Sequence, residues 1–370
     1  MIWTGSNHAS PIALDAGCVA TRALQLQREA GGWSVRRWAR WPVGSATAGP
    51  EAPDARPGGR DPIDLRRQGF LGREAVLCLN PPDVEFCPLR VPEALLALEH
   101  ERMLAAVRHE VARHARTPVQ EAQLDAWPLP AGQGDCPNLM VAVAPAATVQ
   151  GLIGWVEACG CACTRIDAAP AVVLRARRRL LGGAVDDCIW GVLDVGWQYS
   201  RLYIGLGEVP VYVRCIQRGG EHFTRRIASE LGVEPQIAER YKRRYGIAAS
   251  EAGYRPVLSP DALLDERRLA AILLGALRPA VRGISEEIKR SFDYAMELYP
   301  DKQVTRVEVC GGGAVMPGFC AQLAAMLGIE VVGADAWTAP DVPRRPADLS
   351  ADGVIELTTA LGLALGEVMP

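Results

Sequence analysis

The stretch VLDVGWQYSR, residues Val192–Arg201, is typical of a β-strand that ends on a carboxylate, turns at a glycine and returns as a second strand. The chain carries the same pattern earlier, as ALDAGCVATR in Ala13–Arg22. Both copies read Leu-Asp-x-Gly, then three residues, then Thr or Ser, then Arg. Internal repetition constrains a whole fold. Because the copies lie about half a chain apart, they predict two similar lobes that face a shared cleft.

Each copy contains a glycine turn that suits a bound phosphate. Glycine lets the backbone approach a ligand closely, and successive N–H groups in such a turn form an anion-binding concavity. A carboxylate beside a phosphate is repelled unless a cation lies between them. Asp15 and Asp194 are therefore predicted to be Mg²⁺ ligands, since Mg²⁺ is usually held by one or two carboxylates plus phosphates. Two ordinary β-hairpins with Asp-x-Gly turns are the alternative.

The composition is ordinary for a globular protein. At 370 residues, the chain suggests two domains or one large bilobal unit. Its net charge of −3 gives no reason to expect nucleic acid as a partner, and its eleven scattered cysteines fit reduced thiols. The N-terminus lacks a signal-peptide layout, and the most apolar run, Leu269–Leu277, is shorter than the ~20 residues that span a bilayer. We therefore expect a cytoplasmic protein without direct membrane insertion.

Hydrophobic periodicity and turn residues divide the chain into five segments of an α/β protein. In chain order we expect the N-terminal part of a first lobe (1–85), an inserted α/β subdomain (86–166), a linking helix (167–188), a second lobe (189–353), and a C-terminal helix that returns to the first lobe (354–370). The segment Gly44–Arg60 is rich in Gly, Pro and Ala and is predicted to be a surface loop.

Several helix boundaries can also be predicted. A single helix is expected over Glu93–Arg116. Farther on, one helix is expected over Asp261–Leu277 and a new one from Pro279, because proline suits the first helical turn. A Pro-rich loop at Ala339–Pro346 is expected to precede a last helix over Val354–Leu365.

A third chemical feature is the stretch VCGGGAVMPG, residues Val309–Gly318. A strand that runs into three glycines and then a helix N-terminus has the geometry that receives a nucleotide. A dinucleotide-binding fold is the rival interpretation, with Glu330 at roughly the distance of a ribose-binding acid. Two observations count against it: the motif lies late in the chain instead of opening a βαβ unit, and Glu330 starts its own strand.

Together, the two hairpins and the triple-glycine turn resemble the actin-like ATPase superfamily, whose members have a bilobal, duplicated, ribonuclease H-like fold. Within this superfamily, three segments carry a closer resemblance: Arg214–Gly220, Phe223–Lys242 and Ile288–Tyr294. These segments resemble the PilM family of type IV pilus assembly proteins and its relative FtsA. The inserted subdomain lies where those proteins carry theirs. Single motifs are weak, but their order and spacing over nearly the whole chain are specific.

The resemblance implies ATP and Mg²⁺ in the cleft, with Asp15 and Asp194 as the metal ligands. It also implies a set of nucleotide-binding residues: Gly17, Cys18 and Arg22 in a first phosphate turn, Gly196 and Trp197 in a second, Glu239 and Lys242 near the ribose and base, and Gly311, Gly312, Gly313 and Ala314 over the adenosine.

Two positions depart from the family pattern. Arg22 stands where PilM-like chains usually carry lysine, which keeps the charge but not the geometry. Trp197 stands where a phosphate turn usually has a small residue. No catalytic residue for hydrolysis is implied, so we expect either a slow ATPase or an ATP-binding scaffold that does not hydrolyse.

The resemblance implies a component of a type IV pilus or related type II secretion machine. The short cytoplasmic N-terminal segment of a PilN-like protein would hold this chain at the inner membrane. The resemblance leaves open whether the chain also associates with copies of itself. Three alternatives remain: an FtsA-like division protein, a GspL-like secretion component, and a sugar or acetate kinase. An FtsA-like protein needs a basic amphipathic helix, which Val354–Pro370 lacks. A kinase needs an acid as base for the substrate hydroxyl, and the sequence identifies none.

Other motifs do not support a different chemistry. His109 and His114 are five positions apart and point away from each other on a helix, so one zinc ion cannot use both. The cysteines at Cys159, Cys161 and Cys163 lack a partnering cluster at zinc spacing. The sequence contains no Gly-x-Ser-x-Gly elbow and no Walker A loop, which excludes a serine hydrolase of that type and a P-loop NTPase.

Overall fold

The computed structural model describes residues 9–30, 32–43, 60–180, 188–247, 260–333, 343 and 345–368. Apart from Arg60, the loop predicted at Gly44–Arg60 lies outside these residues, and so does most of the loop predicted at Ala339–Pro346.

The described residues form strands in three sheets. In chain order the strands are β1 (Ile12–Ala16), β2 (Ala20–Glu29), β3 (Gly32–Pro42), β4 (Glu74–Leu79), β5 (Glu85–Leu89), β6 (Ala122–Pro128), β7 (Leu139–Pro145), β8 (Ala162–Ala168), β9 (Ile189–Val195), β10 (Ser200–Leu206), β11 (Val209–Ile216), β12 (Val304–Cys310) and β13 (Glu330–Gly333).

The helices connect and cover these strands. In chain order they are α1 (Glu93–Leu96), α2 (His100–His114), α3 (Ala146–Ala158), α4 (Ala169–Leu180), α5 (Gly220–Leu231), α6 (Pro235–Tyr245), α7 (Pro260–Leu298), α8 (Phe319–Leu327), α9 (Ala351–Glu356) and α10 (Thr358–Val368).

Two five-stranded sheets share one topology. The first has the order β3-β2-β1-β4-β8, and the second has the order β11-β10-β9-β12-β13. In each sheet the first three strands in this order form an antiparallel meander. The last two strands run parallel to the central strand, which is β1 in the first sheet and β9 in the second. Each repeated sequence motif makes the first hairpin of its sheet, so the duplication seen in the sequence is a duplication of the sheet.

The third sheet is antiparallel, with the order β5-β7-β6, and its core includes buried side chains of α2. It lies within the segment in which the inserted subdomain was expected. The strand β8 begins near the end of that segment and pairs in parallel with β4 of the first sheet. The chain has therefore returned to the first sheet before residue 166, while the five-part domain division stays a prediction.

One hydrophobic core contains side chains from both five-stranded sheets. Leu24 and Val76 come from the first sheet, Trp190 and Tyr203 from the second, and buried residues of α4 and α10 complete the cluster. The helices α4 and α10 pack against each other, and α10 also packs on β1 and β2. The two lobes are therefore joined through a shared apolar base below the cleft between them.

The inserted segment also contacts the second lobe. The indole Nε1 of Trp127 donates a hydrogen bond of 2.9 Å to the carbonyl oxygen of Pro210. The backbone N–H of Gln133 donates to the carbonyl oxygen of Leu298 at the end of α7, and the Tyr299 hydroxyl donates to that of Pro130 at 3.3 Å. This subdomain is thus tied to the end of the longest helix in the described part of the chain.

The single helix predicted over Glu93–Arg116 is wrong in its first turns. Instead, a one-turn helix, α1, is followed by α2, with Glu99 in an extended conformation between them. Met103, Val107 and Val111 of α2 form the buried stripe, one helical turn apart. The break allows α2 to set this stripe on the three-stranded sheet independently of the direction of α1.

The expected break at Pro279 does not occur, because α7 continues without interruption from Pro260 to Leu298. Pro279 is exposed. Buried residues before and after it, including Leu277 and Val281, pack into the core of the second lobe. Tertiary packing on this face holds the helix together although an internal proline removes one backbone hydrogen bond.

The predicted last helix, Val354–Leu365, is also divided. It consists of α9 and α10, which are separated at Leu357. The N–H of Leu357 donates to the carbonyl oxygens of both Gly353 and Val354, which tightens the end of α9. This tightened turn brings Glu356 to the cleft, where it contacts both lobes.

The exposed proline inside α7 is expected to lower the stability of the fold. We expect Pro279→Ala to raise the free energy of unfolding by about 1–2 kcal/mol, because alanine restores a backbone donor and removes the steric clash, less the entropy that proline takes from the unfolded chain. The rise should appear as a higher Tm in thermal unfolding followed by circular dichroism. Arg282→Ala, at another exposed position of α7, is the control and should leave Tm nearly unchanged. An unchanged or lower Tm for Pro279→Ala would show that the helix needs its proline.

Candidate nucleotide-binding cleft

The two repeated hairpins hold an acid and an arginine directly opposite each other. Asp15 pairs with Arg22 between β1 and β2, and Asp194 pairs with Arg201 between β9 and β10. The guanidinium Nη1 of Arg22 lies 3.5 Å from a carboxylate oxygen of Asp15. The corresponding distance from Arg201 to Asp194 is 3.1 Å. Because the register of the strands sets both pairs, each lobe presents the same acid–arginine unit.

Glycine is required by close backbone contact in both turns. A Cβ at Gly17 would lie 2.8 Å from the carbonyl oxygen of Ala20, and one at Gly196 would lie 2.8 Å from that of Tyr199. Real Cβ atoms essentially never come so close to another heavy atom. The glycines are needed for space, and the equal distances show that the two turns have the same shape.

The triple-glycine turn packs against the second hairpin. Gly311 has a φ of +89°, and a Cβ there would lie 2.2 Å from a carboxylate oxygen of Asp194. The N–H of Gly313 donates a 2.8 Å hydrogen bond to the carbonyl oxygen of Val195. This contact joins two sequence motifs that are far apart in the chain into one wall.

These elements surround a cavity of about 930 Å³, near the upper end of the usual size of small-molecule sites. Twelve of the thirteen residues predicted for the site line it: Asp15, Gly17, Cys18, Arg22, Asp194, Gly196, Trp197, Glu239, Lys242, Gly311, Gly312 and Gly313. Ala314 does not line the cavity; it is buried in the core of the second lobe. The N–H of Ala314 donates to the carbonyl oxygen of Gly311, and this turn takes Ala314 away from the cleft.

The first glycine turn is also bound from outside its hairpin. The guanidinium of Arg60 donates 2.7 and 2.9 Å hydrogen bonds to the carbonyl oxygens of Gly17 and Ala16. Within the described part of the chain, the Nε atoms of Arg22 and Arg60 are buried without a hydrogen-bond partner. Buried donors of this kind are normally satisfied, so the fold leaves one donor of each of these cavity-lining arginines unpaired.

Glu356 forms an ion-pair cluster on the floor of the cleft. Its carboxylate lies 3.4 Å from Arg22, 3.2 Å from Arg40 and 4.0 Å from Arg243. Arg22 and Arg40 belong to the first sheet, and Arg243 belongs to α6 of the second lobe. One carboxylate therefore links the two lobes at the cavity.

Glu239 and Lys242 lie one turn apart on α6, line the cavity and have a structural role. The Lys242 ammonium contacts Glu239 at 2.5 Å and donates to the carbonyl oxygen of Gly220 and the hydroxyl of Thr224. It lies 5.1 Å from the centre of the Trp197 ring. Burial lowers the pKa of Lys242, although Glu239 opposes this. Lys242 thus cross-links α6, the start of α5 and the second glycine turn.

Asp15 is buried close to charges from both lobes. Burial raises the pKa of Asp15; Arg22 opposes the rise, and the negative charge of Asp194 adds to it. Asp15 is 8% exposed and Asp194 is 9% exposed. Both acids line the same cavity.

The acid–arginine pairs argue against the Mg²⁺ ion that was predicted at Asp15 and Asp194. Each expected Mg²⁺ ligand is already bound to the arginine of its own hairpin, and a Mg²⁺ ion there would lie beside two guanidinium groups. Within the described ranges, no three His, Cys, Asp or Glu side chains are grouped so that they could hold a metal. Two guanidinium groups beside the two acids suit the phosphates of a nucleotide and work against a divalent cation at the acids themselves.

Several charged residues line the cavity in addition to those predicted from the sequence. They include Arg40, Arg60, Arg201, Arg243 and Glu356. Arg201 had a signal, because it occupies the same position in its repeat as Arg22. Arg60 and Glu356 had none, because they reach the site only through the tertiary fold.

None of the helices in the described ranges has a run of apolar residues long enough to span a bilayer.

No family model and no curated protein matches the sequence. Among solved structures, a chain of a PilM-PilN type IV pilus biogenesis complex superposes with a TM-score of 0.72 at 23% identity, over 98% of this chain and 99% of that one. The ethanolamine utilization protein EutJ from Carboxydothermus hydrogenoformans superposes with a TM-score of 0.51 at 14% identity, over 97% of this chain and 90% of that one. Identities this low establish the fold alone. The predicted bilobal actin-like fold with duplicated lobes is confirmed, and over nearly its whole length it is the fold of the chain in the PilM-PilN complex.

Proposed function

We propose that this chain is a PilM-like component of a type IV pilus or related secretion machine and that it binds ATP in the cleft between its lobes. The observation that carries the proposal is the meeting of two glycine turns of equal shape and the triple-glycine turn at one cavity. Turns of this kind offer backbone N–H groups to phosphates and leave room for close approach.

The charges at the cavity support a polyphosphate ligand. Six basic residues line the cavity, against five acidic ones. Arginine binds phosphate through two parallel N–H groups, and Arg22 and Arg60 retain buried donors within the described structure. Mg²⁺ was expected from the sequence, but it is left out of the proposal because arginines hold both of its expected ligands. Hydrolysis is not part of the proposal either.

The proposed partner rests on the likeness to the PilM-PilN complex. In the proposal, a PilN-like inner-membrane protein docks on this chain through its short cytoplasmic N-terminal segment and keeps it at the inner face of the membrane. A bilobal cleft can signal ligand binding by hinge closure, and this gives nucleotide binding a way to influence docking.

Gly312 provides a test of the cleft. A Cβ there would meet only the ends of two long side chains, Arg22 at 3.2 Å and Glu356 at 3.8 Å. Leucine can therefore be built into the fold, but it would fill the space for the ligand. We expect Gly312→Leu to weaken ATP binding at least about tenfold, or about 1.4 kcal/mol, in isothermal titration calorimetry.

The control for this variant is Gly154→Leu. Gly154 lies in α3 outside the cavity lining, and a Cβ there would meet nothing within 4 Å. It should bind ATP as the parent does, and thermal unfolding should show that both variants are folded. Parent-like ATP binding by Gly312→Leu would place the nucleotide elsewhere, and a parent that does not bind ATP would contradict the proposed function.

The partner can be tested separately with a peptide. A synthetic peptide that copies the N-terminal cytoplasmic segment of a single-span protein encoded by a neighbouring gene should bind this chain in fluorescence anisotropy. A scrambled peptide of the same composition should not bind, because docking depends on the order of its side chains. If the two peptides bind equally, docking through this segment is ruled out.

A phosphotransfer screen distinguishes the kinase alternative. Transfer of the ATP γ-phosphate to a sugar or to acetate would favour a kinase over a pilus component. The proposal predicts no transfer above the rate of a protein-free control.

A further inference from the structure

Arg201 is held at the cleft by contacts with both lobes. It lies directly opposite Asp194 in the antiparallel pair of β9 and β10, and side chains in such a pair have Cβ atoms only about 4.5–5.5 Å apart. Its Nη1 donates to Asp194 at 3.1 Å, and its Nε donates to the carbonyl oxygen of Pro81 at 2.7 Å. Its side chain is 17% exposed. The strand register and a hydrogen bond to the other lobe hold this charge in place.

The first lobe repeats the arrangement. Arg22 lies opposite Asp15 and contacts it at 3.5 Å, and Arg60 binds the carbonyl oxygens of the adjacent turn. Each acid that could bind a metal therefore receives a positive charge from its own hairpin. The strand register places each arginine directly opposite its acid.

The two acid–arginine pairs make the cleft less favourable for a divalent cation and more favourable for phosphate. A divalent cation at the two acids would have to displace the guanidinium groups of Arg22 and Arg201 or lie beside them, and like charges repel at that distance. Phosphate oxygens meet the opposite situation, because guanidinium groups are planar, permanently charged donors that suit phosphate. The cleft is therefore built for an anion that brings no metal with it.

We propose that Arg201 and Arg22 take the place of a divalent cation, so that this chain binds the polyphosphate of a nucleotide in its metal-free form. This inference rests on the proposed nucleotide-binding function and specifies the form of its ligand. Arg201 is the residue that decides the specificity, because it neutralises Asp194 and presents a positive charge where a metal would otherwise be needed.

The first test uses the unmodified chain. ATP binding is measured by isothermal titration calorimetry in excess EDTA and again in excess MgCl₂. We expect binding in EDTA to be equal to or tighter than binding in MgCl₂, within about threefold if it is equal. Binding that is about tenfold or more weaker in EDTA would overturn the inference and leave the nucleotide-binding function intact. Failure to bind ATP under either condition would overturn both.

Two variants separate the roles of the pair. Arg201→Gln should weaken binding in EDTA by about tenfold or more, and MgCl₂ should then restore part of it, because Asp194 is left without its positive partner. Asp194→Asn should bind ATP in both solutions, because Arg201 is then free to contact phosphate. If Asp194→Asn loses binding only in MgCl₂ and Arg201→Gln behaves as the parent does, Asp194 is a metal ligand and the inference is wrong.

A control variant and a folding check complete the design. Arg214→Gln removes an arginine from β11 of the same sheet; its side chain is 48% exposed, pairs with Glu287 and does not line the cavity. It should change ATP binding by less than about twofold. Circular dichroism and thermal unfolding establish that each variant is folded, and if Arg201→Gln does not fold, the EDTA comparison on the parent decides the question alone.

Discussion

Steric exclusion at two glycines sets the geometry on which the cleft depends. At Gly17 and at Gly196, a carbonyl oxygen three residues later leaves no room for a Cβ. The chain can therefore turn tightly enough for the strands to pair Asp15 with Arg22 and Asp194 with Arg201. Everything that faces the cavity from the hairpins follows from this register, since a slip of one residue would turn every side chain to the opposite face of its sheet.

The two lobes are connected in two physically different ways. Below the cleft, an apolar core with α4 and α10 at its centre joins the sheets, and such packing is dense and resists deformation. At the cleft itself the connections are polar: Glu356 contacts Arg22 and Arg243 from opposite lobes, and Arg201 donates to Pro81. The base is therefore suited to act as a fixed point, while the contacts near the cavity depend on charge.

Structural features that depend on neighbouring residues could be predicted from the sequence, whereas features that depend on residues far apart in the chain could not. The hairpins and their glycine turns could be recognised because each depends on about ten consecutive residues. Glu356 could not, because its partner Arg22 is 334 positions away. Ala314 follows three cavity-lining glycines, yet the turn at Gly311 sends it into the core. Pro279 shows the converse error, since its local preference for a helix start is overridden by packing on both sides of it.

The placement of α10 has a consequence for biosynthesis. This helix packs on β1 and β2 of the first sheet, so these two strands, which are made long before α10, cannot complete their apolar packing until residues 358–368 have emerged. At ordinary translation rates of about 5–20 residues per second, that interval is on the order of half a minute. During it, Leu24 and Leu26, which are fully buried in the finished protein, lack the α10 side chains that share their core. The order of synthesis thus makes the packing of the first sheet wait for a helix that is made after the whole of the second sheet.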